Sequence, residues 1–436
     1  MLIQIINGSI FTPQGWIENG SVLVRDNKIL EVTNCDLAVE GAEVVDAKGL
    51  FIVPGYVCLH AHGGGGHDFT EATEEAFRTA IEAHQKHGAT SIFPTMSSST
   101  FETIRKGTAV CEKLMAEENS PILGLHLEGP YLNPKRASDE FGDKLCEPNP
   151  EDYIPLLEST SCIKRWDASP EVPGALEFAR YLKTKGVLTA ITHTEAEYKE
   201  VKEAFEAGFT HTAHFYNGMP GFHKNREYKY EGTVESVYLI DDITIELIAD
   251  GRHLPDTILR LASKVKGVEK TCLVTAALAY AASDAKDIKN PNIIIEDGVC
   301  KSRDLKQLVG SIATMDVLVQ NMVKAGVQLD ADTRFYKVSI GEGKLGIKQN
   351  AWLEAFAAEH GHLFVRWSTE AVDFYSKCQE SIGKEAFPIL ALPGNDLIRT
   401  LKNGCEDPAC WQAIQHRHEL LMRIDPHYYT YYQLSL

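Results

Sequence analysis

Residues 1 to 50 alternate apolar and polar positions with a period of two, the pattern of strands with one buried face. Ile3, Ile5, Val22, Val24 and Val44 carry it, and Asn7-Gly8, Asn19-Gly20 and Asp26-Asn27 read as turns between strands. A small β unit over residues 1–50 is predicted. From residue 51 the texture changes to short apolar runs separated by helix-patterned stretches. The runs cover residues 51–59, 90–95, 121–127, 162–168, 187–192, 209–214, 243–249 and 271–275. Between them lie segments such as 74–84 and 195–205, whose apolar residues recur at helical spacing. Eight strand–helix pairs predict an α/β fold with a (β/α)8 TIM-like barrel over residues 51–330, closing with a helix near 314–325.

Residues 331–436 break this rhythm and form a mixed C-terminal region of unknown role. Residues 350–359 are helix-patterned, 387–393 suit a strand, and Tyr428 to Tyr432 form an aromatic stripe. Such a stripe more often packs in a core or an interface than binds a cofactor.

A net charge of -18 argues against a nucleic-acid groove and against an anionic membrane surface. No apolar stretch approaches the length of a membrane span. The first residues lack a basic start and read as strand rather than secretory signal. The ten cysteines include no Cys-x-x-Cys pair; Cys405 and Cys410 are the nearest two. Reduced thiols and a cytoplasmic location are expected.

The candidate chemistry sits at strand ends. His60 and His62 close the first run, and alternate residues on a strand face the same side. Glu128 closes the third run, His193 the fifth and His214 the sixth, while His253 follows the seventh in Asp250-Gly-Arg-His253. A single polar residue at a strand end is ordinary. Four histidines and a glutamate at matched positions predict one metal centre at the C-terminal mouth of the barrel. Imidazole and carboxylate suit zinc best among Zn, Fe, Co and Mn, with one or two ions bound.

These residues resemble the amidohydrolase superfamily, and within it the N-acetylglucosamine-6-phosphate deacetylase family, over about residues 1–327. The matching pieces include His60-Ala-His62 with its four following glycines, His126-Leu-Glu-Gly-Pro130, Thr192-His193, and His214-Phe-Tyr-Asn217-Gly218. Asp250-Gly-Arg-His253, Leu273-Val-Thr275 and Gly310-Ser311 complete the set. The resemblance implies metal-dependent hydrolysis of the acetamide of an N-acetylhexosamine 6-phosphate. It implies that Glu128, His193 and His214 are the principal ligands, with His60 and His62 helping to hold a second ion. Asn217, Gly218, Arg226, His253, Val309 and Gly310 would contact the phosphosugar, and His253 would also donate to the carbonyl oxygen. A small-molecule partner and a homodimer are expected. The gluco and galacto epimers are not separable from the residues.

Three departures qualify this. The family carries its general acid/base aspartate directly after Leu-Val-Thr, where this chain has Ala276. A methyl group transfers no proton, so severe impairment is predicted, by a deliberate substitution or by natural loss of activity. A non-catalytic phosphosugar-binding protein is the rival reading. Asp284 is expected on the following loop, away from the catalytic position. No histidine follows Gly129-Pro130 at the family's substrate-contacting position; Lys135 and Arg136 are the nearby cations. Finally, the family's closing C-terminal motif is missing after Gly326.

Overall fold

The computed structural model describes residues 2–327, apart from 13–14, 26–27, 35–38, 138 and 284–289. The features expected within 331–436, with Cys405 and Cys410, and Asp284, lie outside the described residues. Met1–Pro54 fall in one compact unit, and the described residues from Gly55 onward fall in another.

The first unit is a small sheet. Strands β1 (Leu2–Thr12) and β2 (Gly15–Arg25) form a long antiparallel ladder that pairs Ile3 with Val24 and Ile5 with Val22. β3 (Lys28–Thr33) continues it beyond β2, while β4 (Glu43–Asp46) and β5 (Phe51–Ile52) run parallel to β1. Ile10, Phe11, Val22 and Leu23 are buried. The expected turns at Asn7-Gly8 and Asn19-Gly20 are irregularities inside continuous strands. Both asparagines adopt left-handed φ, and Gly8 pairs with Gly20, so the two kinks face each other.

The second unit begins by splitting the expected strand 51–59. Phe51–Ile52 pairs within the small sheet, Pro54 offers no amide hydrogen, and the barrel strand β6 starts afresh at Tyr56–Ala61. A two-residue ladder, β7 (Gly63–Gly64) and β8 (His67–Asp68), follows it. Next come α1 (Glu74–Gln85), β9 (Ala89–Ser97), α2 (Phe101–Met115), β10 (Leu125–Glu128), α3 (Pro150–Ser159) and β11 (Ile163–Asp167). The second half holds α4 (Ala175–Thr184), β12 (Thr189–Ile191), α5 (Tyr198–Ala207) and β13 (Phe209–Thr212). A hairpin of β14 (His223–Asn225) and β15 (Tyr228–Tyr230) precedes α6 (Thr233–Leu239), β16 (Thr244–Leu247), α7 (Asp256–Lys266) and β17 (Thr271–Leu273). A three-stranded antiparallel sheet, β18 (Ile293–Glu296), β19 (Val299–Ser302) and β20 (Leu308–Ser311), leads into α8 (Met315–Lys324).

Two parallel sheets, β11-β10-β9-β6 and β12-β13-β16-β17, make the halves of a (β/α)8 barrel. Isolated parallel bridges join them on both sides: Arg165 to Leu188 and Ala168 to Ile191 on one, Ala61 to Ala277 on the other. The helices cover the ring with amphipathic faces. In α4, for example, Ala175, Phe178, Ala179 and Leu182 are buried at helical spacing, and Phe178 meets Trp166 edge-to-face. Such packing fixes where each strand ends, and therefore where each terminal side chain points.

Candidate active site

His60 and His62 leave the end of β6 on one face, with His60 Nε2 and His62 Nε2 3.1 Å apart. Glu128 terminates β10 and is 3% exposed. Its Oε2 lies 3.3 Å from His62 Nε2 and 3.7 Å from His60 Nε2. Its Oε1 lies 2.9 Å from His214 Nε2 and 3.5 Å from His193 Nε2. One carboxylate thus stands between two pairs of imidazoles. Both groupings, His60–His62–Glu128 and Glu128–His193–His214, are close enough to hold an ion.

The outer nitrogens fit that use. His193 Nδ1 lies 2.9 Å from the Arg136 carbonyl, and His214 Nδ1 lies 3.0 Å from the Asn217 carbonyl. A carbonyl only accepts, so Nδ1 carries the proton and Nε2 keeps its lone pair. His62 Nδ1 meets Ser97 Oγ at 2.9 Å, and His60 Nδ1 meets Glu246 Oε2 at 3.0 Å. In all four rings the opposite nitrogen, Nε2, faces Glu128. This donor set fits a divalent cation.

Burial and charge act against each other here. Burial drives His62 down to about 3, against the pull of Glu128. Burial also opposes charge on His60, but Glu246 and Glu128 outweigh it and hold the imidazole up at about 9. Burial would raise Glu128, yet His60 and its hydrogen-bonding histidines keep it well below the usual carboxylate range. The residue that the sequence marks as a departure sits in the same ring. Ala276 follows β17, its amide donates to the His60 carbonyl at 2.9 Å, and its φ is 43°. His193 (43°) and His214 (30°) share that left-handed backbone, sparsely populated by non-glycine residues.

These groups open into a cavity of about 710 Å³. Asn217, Gly218, His253, Ala276, Val309 and Gly310 line it with His62, Glu128, His193 and His214. His253 is oriented by Asp250, whose Oδ2 lies 2.7 Å from its Nδ1 and whose Oδ1 accepts from its amide. Gly218, at φ +65°, could not carry a side chain freely: a Cβ there would sit 3.0 Å from His193 Nδ1. Gly310 is as constrained, since its Cβ would meet Leu278 at 2.8 Å.

Arg226 is not brought to this cavity. It takes the exposed, left-handed turn of the β14–β15 hairpin and is not a lining residue. The cations that do line the cavity are Arg136, paired with Glu195, and Lys144. Phe141 also lines it, 6.4 Å from the His193 ring. Sequence reasoning missed Ser97, Phe141 and Lys144, and above all Glu246. The signal for Glu246 was a lone carboxylate inside the apolar run 243–249.

A barrel with carboxylate and imidazole donors at its strand ends defines a metal-hydrolase class of site. The chain belongs to the Amidohydrolase family, whose pattern matches residues 51–316. It is 28% identical over 325 residues to the N-acetylglucosamine-6-phosphate deacetylase of Lysinibacillus sphaericus, covering 73% of this chain and 82% of that one. Among solved structures, it is similar to the N-acetylglucosamine-6-phosphate deacetylase of Pasteurella multocida. The TM-score there is 0.73, with 26% identity, 79% of this chain and 91% of that chain covered. It is also similar to an aspartate-to-alanine mutant of the Mycobacterium smegmatis deacetylase in complex with N-acetyl-D-glucosamine-6-phosphate. In that case the TM-score is 0.68 and the identity 25%, over 78% of this chain and 87% of that one.

Proposed function

We propose that this chain is a metal-dependent deacetylase scaffold for N-acetylglucosamine 6-phosphate, yielding glucosamine 6-phosphate and acetate, and impaired by Ala276. The observation that carries the reading is Glu128 set between two pairs of imidazoles on the wall of the cavity. Glu128, His193 and His214 would hold one cation, zinc in first place, and His60 and His62 would help hold a second. A cation there supplies Lewis-acid polarisation of the acetamide carbonyl and lowers the pKa of a water.

The protein's own groups do the rest. His253, whose Nδ1 donates to Asp250, donates to the carbonyl oxygen from Nε2 in its doubly protonated form, with a proton on each ring nitrogen. Asn217 and the backbone at Gly218, Val309 and Gly310 position the sugar. The phosphate meets Lys144 and Arg136 at the cavity wall, and the exposed Arg226 stands outside that lining. Proton transfer to the leaving amine needs a group that Ala276 does not supply. That last point favours a second reading, a non-catalytic binder of the same phosphosugar. Discrimination against the galactosamine epimer rests on one hydroxyl orientation.

A homodimer in the cytoplasm is the expected setting. Six free cysteines among the described residues support a reducing compartment. Among those residues no helix is long and apolar enough to cross a membrane.

Calorimetric titration of the zinc-loaded chain tests the proposal without requiring turnover. N-acetylglucosamine 6-phosphate should bind, and the sugar without phosphate should bind at least about tenfold more weakly, the loss of one charge-assisted contact. Zinc-loaded protein that ignores both phosphosugar epimers would refute it.

A further inference from the structure

Beneath the imidazoles, inside the barrel, lies a second knot of buried charge centred on Glu246. This residue sits in the middle of β16 and is 0% exposed. Its Oε2 lies 3.0 Å from His60 Nδ1 and accepts the His214 amide at 3.0 Å. Its Oε1 lies 3.2 Å from His211 Nε2 and accepts from Arg165 Nη1. Arg165 in turn holds Asp167 through two contacts, at 2.8 and 2.6 Å. His211, Glu246 and Cys272 are near enough to one another to suggest another ion position. The guanidinium already bound to Oε1 argues against it.

Glu246 does something the other outer partners do not. His62, His193 and His214 rest on a hydroxyl and two backbone carbonyls, all neutral. His60 alone rests on a carboxylate. A charged acceptor fixes the Nδ1–H tautomer more firmly and makes the opposite nitrogen a stronger donor. Arg165 and His211 pin that carboxylate from the far side, so His60 is aimed by a rigid support. The His214 contact differs in kind: it holds a main-chain amide, which a neutral carbonyl oxygen could also do.

We infer that Glu246 is the positioning residue for His60. The cation position formed by His60, His62 and Glu128 Oε2 depends on it, while the position formed by His193, His214 and Glu128 Oε1 does not. The inference rests on the functional reading above and names which residue outside the ligand set tunes which half of the site.

Cobalt(II) titration of the full chain, followed by its visible absorption and by metal analysis, separates the two positions. The equivalent that disappears in His62→Ala identifies the first position. Glu246→Gln should weaken that equivalent by about 10- to 100-fold and leave the other within about threefold. Glu246→Gln also leaves Arg165 facing a neutral amide in place of a carboxylate. Glu246→Asp is therefore run in parallel. It keeps the buried charge, retracts it by about one carbon–carbon bond from His60, and should weaken the same equivalent. Ser97→Ala, which removes a neutral partner of His62, should matter less than either. Equal weakening of both equivalents, or wild-type cobalt affinity in a folded Glu246 variant, would overturn the inference and leave the functional reading standing. A wild-type chain that takes up no cobalt would overturn both.

Discussion

Replacing Ala276 by aspartate is the sharpest perturbation the site allows. The backbone is ready for it. Ala276 sits at φ 43°, where alanine is disfavoured by about 1 kcal/mol and aspartate is several-fold enriched. Its amide and carbonyl are anchored, by the His60 carbonyl at 2.9 Å and by the Ser311 amide at 3.1 Å, so the new side chain would start from a fixed point. It would enter the cavity that Glu128, His193 and His214 also line. A positioned acid/base group contributes about 100- to 10,000-fold in rate, or roughly 3 to 5 kcal/mol of barrier. Acetate release from N-acetylglucosamine 6-phosphate by zinc-loaded Ala276→Asp should therefore exceed that of the unaltered chain by this factor. The gain should fall on kcat rather than KM, because proton transfer belongs to the transition state. Melting curves of the two proteins should differ little. A folded, zinc-loaded variant that binds the phosphosugar and gains less than tenfold would refute the assignment of position 276.

Three further perturbations probe the frame of the site. Gly218→Ala places a Cβ 3.0 Å from His193 Nδ1 at a φ of +65°; zinc affinity should fall and thermal stability should drop by about 1 kcal/mol, read by calorimetry. Arg165→Met removes the guanidinium that the buried carboxylates Asp167 and Glu246 share, leaving them only histidine partners, and should destabilise the fold by about 3 to 5 kcal/mol in urea unfolding; an unchanged midpoint would show the network to be dispensable. His60 is held above its unfolded value of about 6.5, at about 9, by Glu246 and Glu128 against the effect of burial. That stabilisation of the metal-free protein is complete below about pH 6.5 and is lost as pH rises through about 9. A cation must displace the same proton, so cobalt affinity should climb across this interval and level off above it; a flat profile would contradict the shift.

Much of the site was legible because strand ends are legible. A run such as 187–192 shows where a buried strand stops, and in a barrel that stop points toward the mouth, so His193 and His214 declared themselves by position. Strand lengths were less accessible. The run 121–127 forms regular ladder only over Leu125–Glu128, and 51–59 divides at Pro54-Gly55 between two units. Periodicity registers burial, and both sides of that break are apolar. The asparagine–glycine pairs of the first unit looked like chain reversals because a left-handed residue serves a bulge as well as a turn. Arg165 and Glu246 stayed hidden for a different reason. Their partners come from β6, β11, β13 and β16, and only the closed ring brings them together. The hairpin around Arg226 shows the converse: a motif residue can be recognised while its placement depends on a turn no pattern specifies.

Anomalous diffraction from crystals grown with zinc, recorded on both sides of the zinc edge, tests the central claim most directly. A peak bonded to Glu128 Oε1, His193 Nε2 and His214 Nε2 at about 2.0–2.2 Å is the predicted result. Crystals soaked in excess zinc that show those side chains ordered and no anomalous density between them would contradict it.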